Sequence, residues 1–269
     1  MAREGIASAQ PERWLGAGGT PTTAEPYGGD VTLSPSQFER ALACPLRWFL
    51  TTIGADGPST AAASLGTLVH ALAEDNPHGS AQELAEALEA RIEELGYNLD
   101  TWAGRHADRR AHAIVDNLAS YMAGVPGRVE VERSVEAQVE GVTIRGRMDR
   151  LEHVDEGVRV TDLKTGKSGH SAKTVPDNPQ LAAYQMALLA SGERVAGARI
   201  ALLGDKKAKS FDQRPLEGET LEGWREKVRE VAAIARGPYF QATPSDKACM
   251  YCSFDRLCPA RERGRKVVE

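Results

Sequence analysis

The chain has 269 residues, enough for one large domain or two small ones, each able to bury its own core. Hydrophobic residues make up 41% and charged residues 26%, with 26 glycines and 14 prolines, which excludes collagen-like, coiled-coil and wholly disordered chains. A formal net charge of -5 speaks against a protein that coats nucleic acid non-specifically, though a local site can still be basic. No apolar run reaches membrane-spanning length and no hydrophobic signal core opens the chain, so a cytoplasmic protein with no membrane partner is expected.

In chain order, residues 1–30 carry Gly16, Gly18, Gly19, Pro21, Pro26, Gly28 and Gly29 among few apolar residues, the composition of a flexible linker. Ser34-Pro35-Ser36 then predicts the capped start of a helix whose apolar residues Phe38, Leu42, Leu46 and Phe49 recur at helical spacing, with Cys44 inside it. Leu65, Leu68, Val69 and Leu72 mark a second helix. A strongly helical stretch follows from about Ala81 to Met122, with Leu84, Leu88, Ile92 and Leu95 in one arm and Ala111, Ile114, Val115, Leu118 and Tyr121 in the next. The period then changes. Val129–Val139, Val142–His153 and Val158–Lys164 are rich in Val, Ile and Thr and are separated by turn residues, which predicts a three-stranded antiparallel meander. Asn178–Ser191 reads as a helix, Val195–Leu203 as a last strand, and Glu219–Arg236 as a long amphipathic helix.

Chemistry concentrates first in Gly146-Arg-Met-Asp149-Arg and Val160-Thr-Asp162-Leu-Lys164-Thr-Gly166. Side chains two apart on a strand share a face, so Asp162 and Lys164 emerge together and a neighbouring strand can bring Asp149 beside them. Two carboxylates and an ammonium suit divalent-metal hydrolysis of a phosphodiester, because hard oxygen ligands hold Mg²⁺ or Mn²⁺ and a lysine orients water or neutralises developing charge. On their own, Asp-x-Lys reads more simply as a surface ion pair, His70 as an exposed imidazole near Glu74, and Gln180 with Tyr184 as a solvated amide and a packed ring. The four cysteines form a second group. Cys249, Cys252 and Cys258 are compact, and Cys44 can join them only if the first helix packs against the tail, in which case four thiolates suit either zinc or an iron–sulfur cluster. Basic residues gather at Arg105, Arg109 and Arg110, at Lys206, Lys207 and Lys209, and at Arg261, Arg263, Arg265 and Lys266. If these line a cleft they give single-stranded DNA a positive track.

Taken in order, Gly66-Thr-Leu-Val-His70, Gly146-Arg-Met-Asp149-Arg, Asp162-Leu-Lys164-Thr-Gly-Lys and Gln180-x-x-x-Tyr184 resemble the RecB-like branch of the PD-(D/E)xK nuclease superfamily over residues 31–260. The resemblance implies a mixed α/β, restriction-endonuclease-like core: a central mixed sheet flanked by helices, with an N-terminal helical region stapled to the C-terminal tail. It implies one nuclease domain over 31–269, with a helical insert at about 60–125, a catalytic core at about 126–240 and a cysteine cluster at 244–260. It also implies metal ligation by His70, Asp149, Asp162 and the backbone carbonyl of Leu163, catalytic roles for Asp149, Asp162 and Lys164, and Gln180 and Tyr184 near bound DNA. Glu132 sits on the first strand where relatives often carry an acid, a softer match outside that core set. Leu33-Ser-Pro-Ser-Gln and Ala43-Cys-Pro-Leu-Arg-Trp-Phe are similar to the opening of iron-staple nucleases of the AddB and AdnB type, and this favours a [4Fe-4S] cluster on Cys44, Cys249, Cys252 and Cys258 over zinc. Pro11-Glu-Arg-Trp-Leu-Gly resembles the segment preceding the C-terminal nuclease module of AdnB-type helicase-nucleases. The expected activity is therefore a Mg²⁺- or Mn²⁺-dependent DNA exonuclease acting on single-stranded ends in break repair and recombination beside a helicase subunit or domain, the alternative being a non-catalytic DNA-binding module. No Gly-x-x-x-x-Gly-Lys-(Ser/Thr) phosphate loop occurs in the chain.

Overall fold

The computed structural model describes residues 29–55, 62–125, 127–166, 169–250 and 252–262. The linker expected over 1–30 lies almost wholly outside these residues, as do the Pro11–Gly16 segment, Lys167, Arg263, Arg265 and Lys266. The chain divides into two compact units, each discontinuous in sequence. The larger comprises Thr32–Glu39 and Pro58–Val228; the smaller comprises Arg40–Gly57 and Arg229–Glu269, together with Met1–Val31.

The elements run β1 (Val31–Leu33), α1 (Pro35–Ala43), α2 (Pro45–Thr52), α3 (Ala62–Asp75), α4 (Ala81–Glu89), a 3-10 turn (Ile92–Leu95), α5 (Trp102–Ala123), β2 (Val129–Val139), β3 (Val142–Val154), β4 (Gly157–Lys164), α6 (Pro179–Ala190), β5 (Val195–Leu202), β6 (Lys209–Gln213), α7 (Gly218–Arg236) and α8 (Asp246–Cys249). Six strands make one mixed sheet in the order β1-β3-β4-β5-β6, with β2 also pairing with β3. The meander β2-β3-β4 is antiparallel, as its two short turns require, whereas β4 and β5 are parallel because α6 carries the chain across. The architecture is thus mixed α/β with a central mixed sheet flanked by helices, as expected.

Apolar spacing decides what each element buries. Leu68, Val69 and Leu72 of α3, Leu84 and Leu88 of α4, and Ile114, Val115 and Leu118 of α5 form one core with Leu163 and Ala201 from the sheet and Leu203 just beyond β5. Strand alternation sends Leu163 into that core and turns Asp162 and Lys164 to the other face. There α6 lies, capped by Asn178, whose side chain accepts from the Leu181 N–H at 2.9 Å, and started by Pro179.

Two expectations are corrected. The single helix expected through Phe38 and Phe49 is two, because Pro45 has no N–H to donate and forces its predecessor out of helical conformation. Cys44 accordingly stands between α1 and α2 with φ -164° and ψ 102°, extended rather than helical. The two arms read between Ala81 and Met122 are α4 with its 3-10 turn and α5, parted between Leu95 and Trp102, where Gly96 adopts a left-handed conformation, φ 61°. Val195–Leu202 is not the last strand: the polar edge strand β6 follows it, and its Lys-Ser-Phe-Asp-Gln sequence offers little of the apolar alternation by which strands are read.

Candidate active site

The site is built by register. β2 pairs with β3 so that Val131 faces Arg150 and Arg133 faces Met148, which sets Glu132 across from Asp149. β3 pairs with β4 up to Arg150 opposite Thr161, and the same register carried one step further sets Asp149 across from Asp162. Glu132, Asp149 and Asp162 therefore form a row of carboxylates across three adjacent strands on one sheet face. At both steps the ladder is interrupted. Glu132 adopts φ 50°, a left-handed conformation that is unfavourable for a side chain with a Cβ and that concentrates at functional sites. Beyond Arg150 the Asp149 carboxylate accepts the Leu163 N–H through Oδ2 at 2.7 Å.

His70, on α3, completes the group: its Nδ1 lies 3.2 Å from Asp149 Oδ1. α3 comes close because Gly66 stands where a Cβ would lie 3.2 Å from Thr165 Oγ1. Among the described residues, only His70, Glu132 and Asp149 draw three potential ligand atoms within 4.8 Å of one another. Asp162 lies beside them. It is 6% exposed; its Oδ1 accepts from Gln180 Nε2 at 2.8 Å, while Oδ2 has Lys164 Nζ at 2.8 Å as an ion pair but no hydrogen bond of normal geometry. Strand geometry also assigns the Leu163 carbonyl. A residue's N–H and C=O leave the same edge of a strand. The Lys164 carbonyl accepts from Leu203 N at 2.8 Å on the β5 side and the Leu163 N–H points to Asp149, so the Leu163 carbonyl lies on the Asp149 edge.

The donor set fits a divalent cation: an imidazole nitrogen, carboxylates and one backbone carbonyl. The electrostatics agree. Burial pushes the Asp162 carboxyl up to about 6, with the Asp149 charge adding to the shift and Lys164 opposing it. Burial also raises Glu132. His70 is raised, chiefly by its hydrogen bond to Asp149. Burial acts to lower Lys164, but Asp162 and Asp149 outweigh it and the net shift is upward, so this lysine remains an ammonium. It is thus suited to orienting a nucleophile or balancing phosphate charge rather than to removing a proton.

Gln180 and Tyr184, expected beside DNA, are placed within the scaffold of the site. Gln180 takes a hydrogen bond from Lys164 Nζ at 3.3 Å through Oε1 while donating to Asp162, so one amide fixes both groups. Tyr184 is 7% exposed and donates to the Arg147 carbonyl at 2.8 Å, bracing β3. Gly146 permits this, since a Cβ there would lie 2.7 Å from Pro35 and 3.2 Å from the Tyr184 ring. Two residues without an assigned role also take part: Glu132 as a member of the cluster, and Arg147, which pairs with Glu132 and, at 3.0 Å, with Glu74. The signal for Glu132 lay in the strand register, which the turn Glu140-Gly141 fixes.

In the smaller unit Cys44, Cys249, Cys252 and Cys258 line a common cavity, joined by Arg47 and Thr243. No disulfide links them. Thr243 N–H approaches Cys44 Sγ at 3.5 Å, Arg47 Nη1 donates to the Ala248 carbonyl at 2.9 Å, and Phe49 stacks on Phe240 with centroids 4.1 Å apart. The first helices and the tail thus share one core, which is the condition under which Cys44 can join the C-terminal trio.

The profile of the PD-(D/E)XK nuclease superfamily matches residues 32–259, and the chain belongs to that superfamily. It is therefore a nuclease with a restriction-endonuclease-like fold, and the fold implies use of divalent metal. The chain is similar to the Gene 69 protein of Mycobacterium phage D29, 26% identical over 265 residues, which cover 84% of this chain and 96% of that protein. Among solved structures it is similar to a provisionally named exonuclease of Eubacterium rectale, with TM-score 0.48 and 14% identity over 87% of this chain and 92% of the other. It is also similar to SSO0001, with TM-score 0.44 and 17% identity over 87% and 89%. No helix among the described residues is long and apolar enough to cross a membrane.

Proposed function

We propose that the protein is a Mg²⁺- or Mn²⁺-dependent deoxyribonuclease that trims single-stranded ends in break repair or recombination, with His70, Glu132, Asp149, Asp162 and the Leu163 carbonyl as metal ligands. The observation that carries this reading is the convergence of His70, Glu132 and Asp149 within 4.8 Å beside the Asp162–Lys164 pair. A divalent cation bound by these residues would supply Lewis-acid chemistry, polarising a phosphate oxygen and easing deprotonation of an attacking water. The chain's own groups do the rest. Lys164, kept charged by Asp162, holds water or a phosphate oxygen in line. Gln180 fixes the lysine and the carboxylate together, and Tyr184 steadies the strand bearing Asp149.

The cysteines are proposed to hold a [4Fe-4S] cluster. Four thiols lining one cavity supply the ligand set for a thiolate-bound group, and the similarity of the Cys44 segment to iron-staple nucleases favours the cluster over zinc. Anaerobically purified protein is expected to be brown, with broad absorbance near about 400 nm and matching iron and sulfide; colourless protein containing zinc contradicts this.

The nuclease reading is tested with labelled single-stranded, blunt and tailed DNA in Mg²⁺ or Mn²⁺. The wild type is expected to degrade the single strand and Asp162→Ala to leave it intact. Equal cleavage by both sinks the assignment, and binding without cleavage by the wild type favours the non-catalytic DNA-binding module.

A further inference from the structure

Two basic clusters about a hundred residues apart in sequence meet along α5. Trp102, His106, Arg109, Arg110 and Ala113 all fall on one exposed stripe of the helix, at the three- and four-residue spacing that stacks side chains along a single face. The stripe ends where the sheet begins. Arg110 Nη2 reaches the carbonyl of Thr165, the residue after Lys164, at 3.4 Å. Farther along the helix, Asn117 Nδ2 donates to the carbonyls of Leu203 at 2.8 Å and Asp205 at 2.9 Å, anchoring the loop that carries Lys206 and Lys207. Both attachment points lie at the C-terminal ends of the parallel strands β4 and β5, the side on which open α/β sheets bind ligands.

Trp102 is the unusual member. It is 70% exposed, while the described tryptophans Trp48 and Trp224 are 3% and 4% exposed. One ring face is held against His106, with centroids 5.3 Å apart and planes 3° from parallel, which leaves the other face open. A large aromatic surface kept in water by a stacked partner and followed by cations makes a poor core residue. It makes a good platform for a nucleobase: stacking is tolerant of sequence, and the neighbouring cations meet the phosphates. Among the described residues Arg109, Lys206 and Lys207 form no ion pair, whereas the nearby acid Asp108 faces His112 at 3.6 Å and Asp205 faces Lys209 at 3.1 Å.

From these placements we infer that Trp102, backed by His106, is a stacking platform for a base of single-stranded DNA, and that Arg109, Arg110, Lys206 and Lys207 carry the strand's backbone between the platform and Lys164. From Trp102 to Arg110 the helix rises about 12 Å. At about 3.4 Å per stacked base this places the platform a few nucleotides from the scissile bond. In a duplex every base but those of the end pair is stacked on both faces and held by its partner, whereas an unpaired strand can turn each of its bases onto Trp102. The platform would therefore select an unpaired strand, and in this respect the inference rests on the nuclease reading.

The test is equilibrium binding of a fluorescein-labelled oligodeoxythymidylate in EDTA, where nothing is cut, by the full chain carrying Trp102→Ala or Trp102→Phe. Trp102→Ala is expected to weaken single-strand binding by about tenfold and Trp102→Phe to restore most of it, with blunt-duplex binding unchanged in both. Wild-type affinity for the single strand in Trp102→Ala overturns the inference, as does an equal loss on blunt duplex. Cleavage is read separately in Mn²⁺. Protein that binds through Trp102 but never cuts overturns the nuclease reading and leaves the platform standing; protein that cuts and binds equally well without Trp102 overturns the platform alone.

Discussion

The two compact units present their candidate metal ligands in opposite ways. In the larger, Glu132, Asp149 and Asp162 sit on neighbouring strands and their positions follow from backbone register, so the geometry exists before any ion arrives. In the smaller, Cys44 stands at a proline-enforced break between helices, and Cys249, Cys252 and Cys258 follow one another through a four-residue helix and turns. A site assembled by a sheet can lose its metal and remain folded. A site assembled from short segments draws folding energy from the group it binds. In this account the first metal is catalytic and the second group is structural.

That contrast is most exposed at the cysteines. Cys44→Ser is expected to bleach the absorbance near about 400 nm and melt the smaller unit, by a margin larger than any other single substitution discussed, as far-ultraviolet circular dichroism and limited proteolysis would show. EDTA treatment of the wild type should leave the circular dichroism spectrum unchanged. If chelation unfolds the larger unit, or Cys44→Ser leaves the smaller one intact, the division between a preformed and a metal-assembled site is wrong.

Next in size is the amide that links the catalytic pair. Gln180→Ala removes the bridge between Asp162 and Lys164 without removing a ligand, and its cost is expected to be about 10- to 100-fold in cleavage rate, the range of groups that orient metal ligands. Because the strands already place the carboxylates, the melting temperature of this variant should stay near that of the wild type. A large loss of stability with little loss of activity would make Gln180 a packing residue.

A smaller effect lies on the opposite face of the sheet. Glu152, with 1% of its side chain exposed, is held by Tyr121 and by two hydrogen bonds from Arg159, at 3.0 and 2.9 Å. Tyr121→Phe removes one donor from this buried carboxylate. It is expected to destabilise the protein by about 1–3 kcal/mol in urea denaturation while leaving metal binding untouched. The smallest concerns pH. The Arg199 hydrogen bonds at 2.6 and 3.0 Å hold the Asp212 carboxyl below the usual carboxylate range. A depressed acid stabilises the fold at neutral pH, and that contribution disappears as pH falls through the depressed value. Asp212→Asn should therefore cost below about 1 kcal/mol at neutral pH, because Asp212 is half exposed, and the difference from wild type should vanish in acid.

How much of this was legible in sequence depends on what fixed it. The β2-β3-β4 meander was readable because Val, Ile and Thr cluster between Gly-containing turns. Its register could then set Asp149 beside Asp162. Helix α6 was readable from its Asn178-Pro179 start. Proline at 45 is visible, but the apolar spacing continues across it and masks the break it makes in the first helix. Strand β6 escaped because an edge strand is polar. The burial of Tyr184, the strained Glu132 and the meeting of Arg110 with Thr165 depend on long-range packing that no local pattern encodes.

Calorimetric titration of Mn²⁺ into the wild type and Asp149→Ala tests directly whether the carboxylate row is a divalent-metal centre. Asp149 joins His70, Leu163 and the neighbouring acids, so the account predicts saturable binding in the wild type and its loss in the variant, with both proteins folded. Identical Mn²⁺ isotherms for the two proteins, or no saturable binding in the wild type, would contradict it.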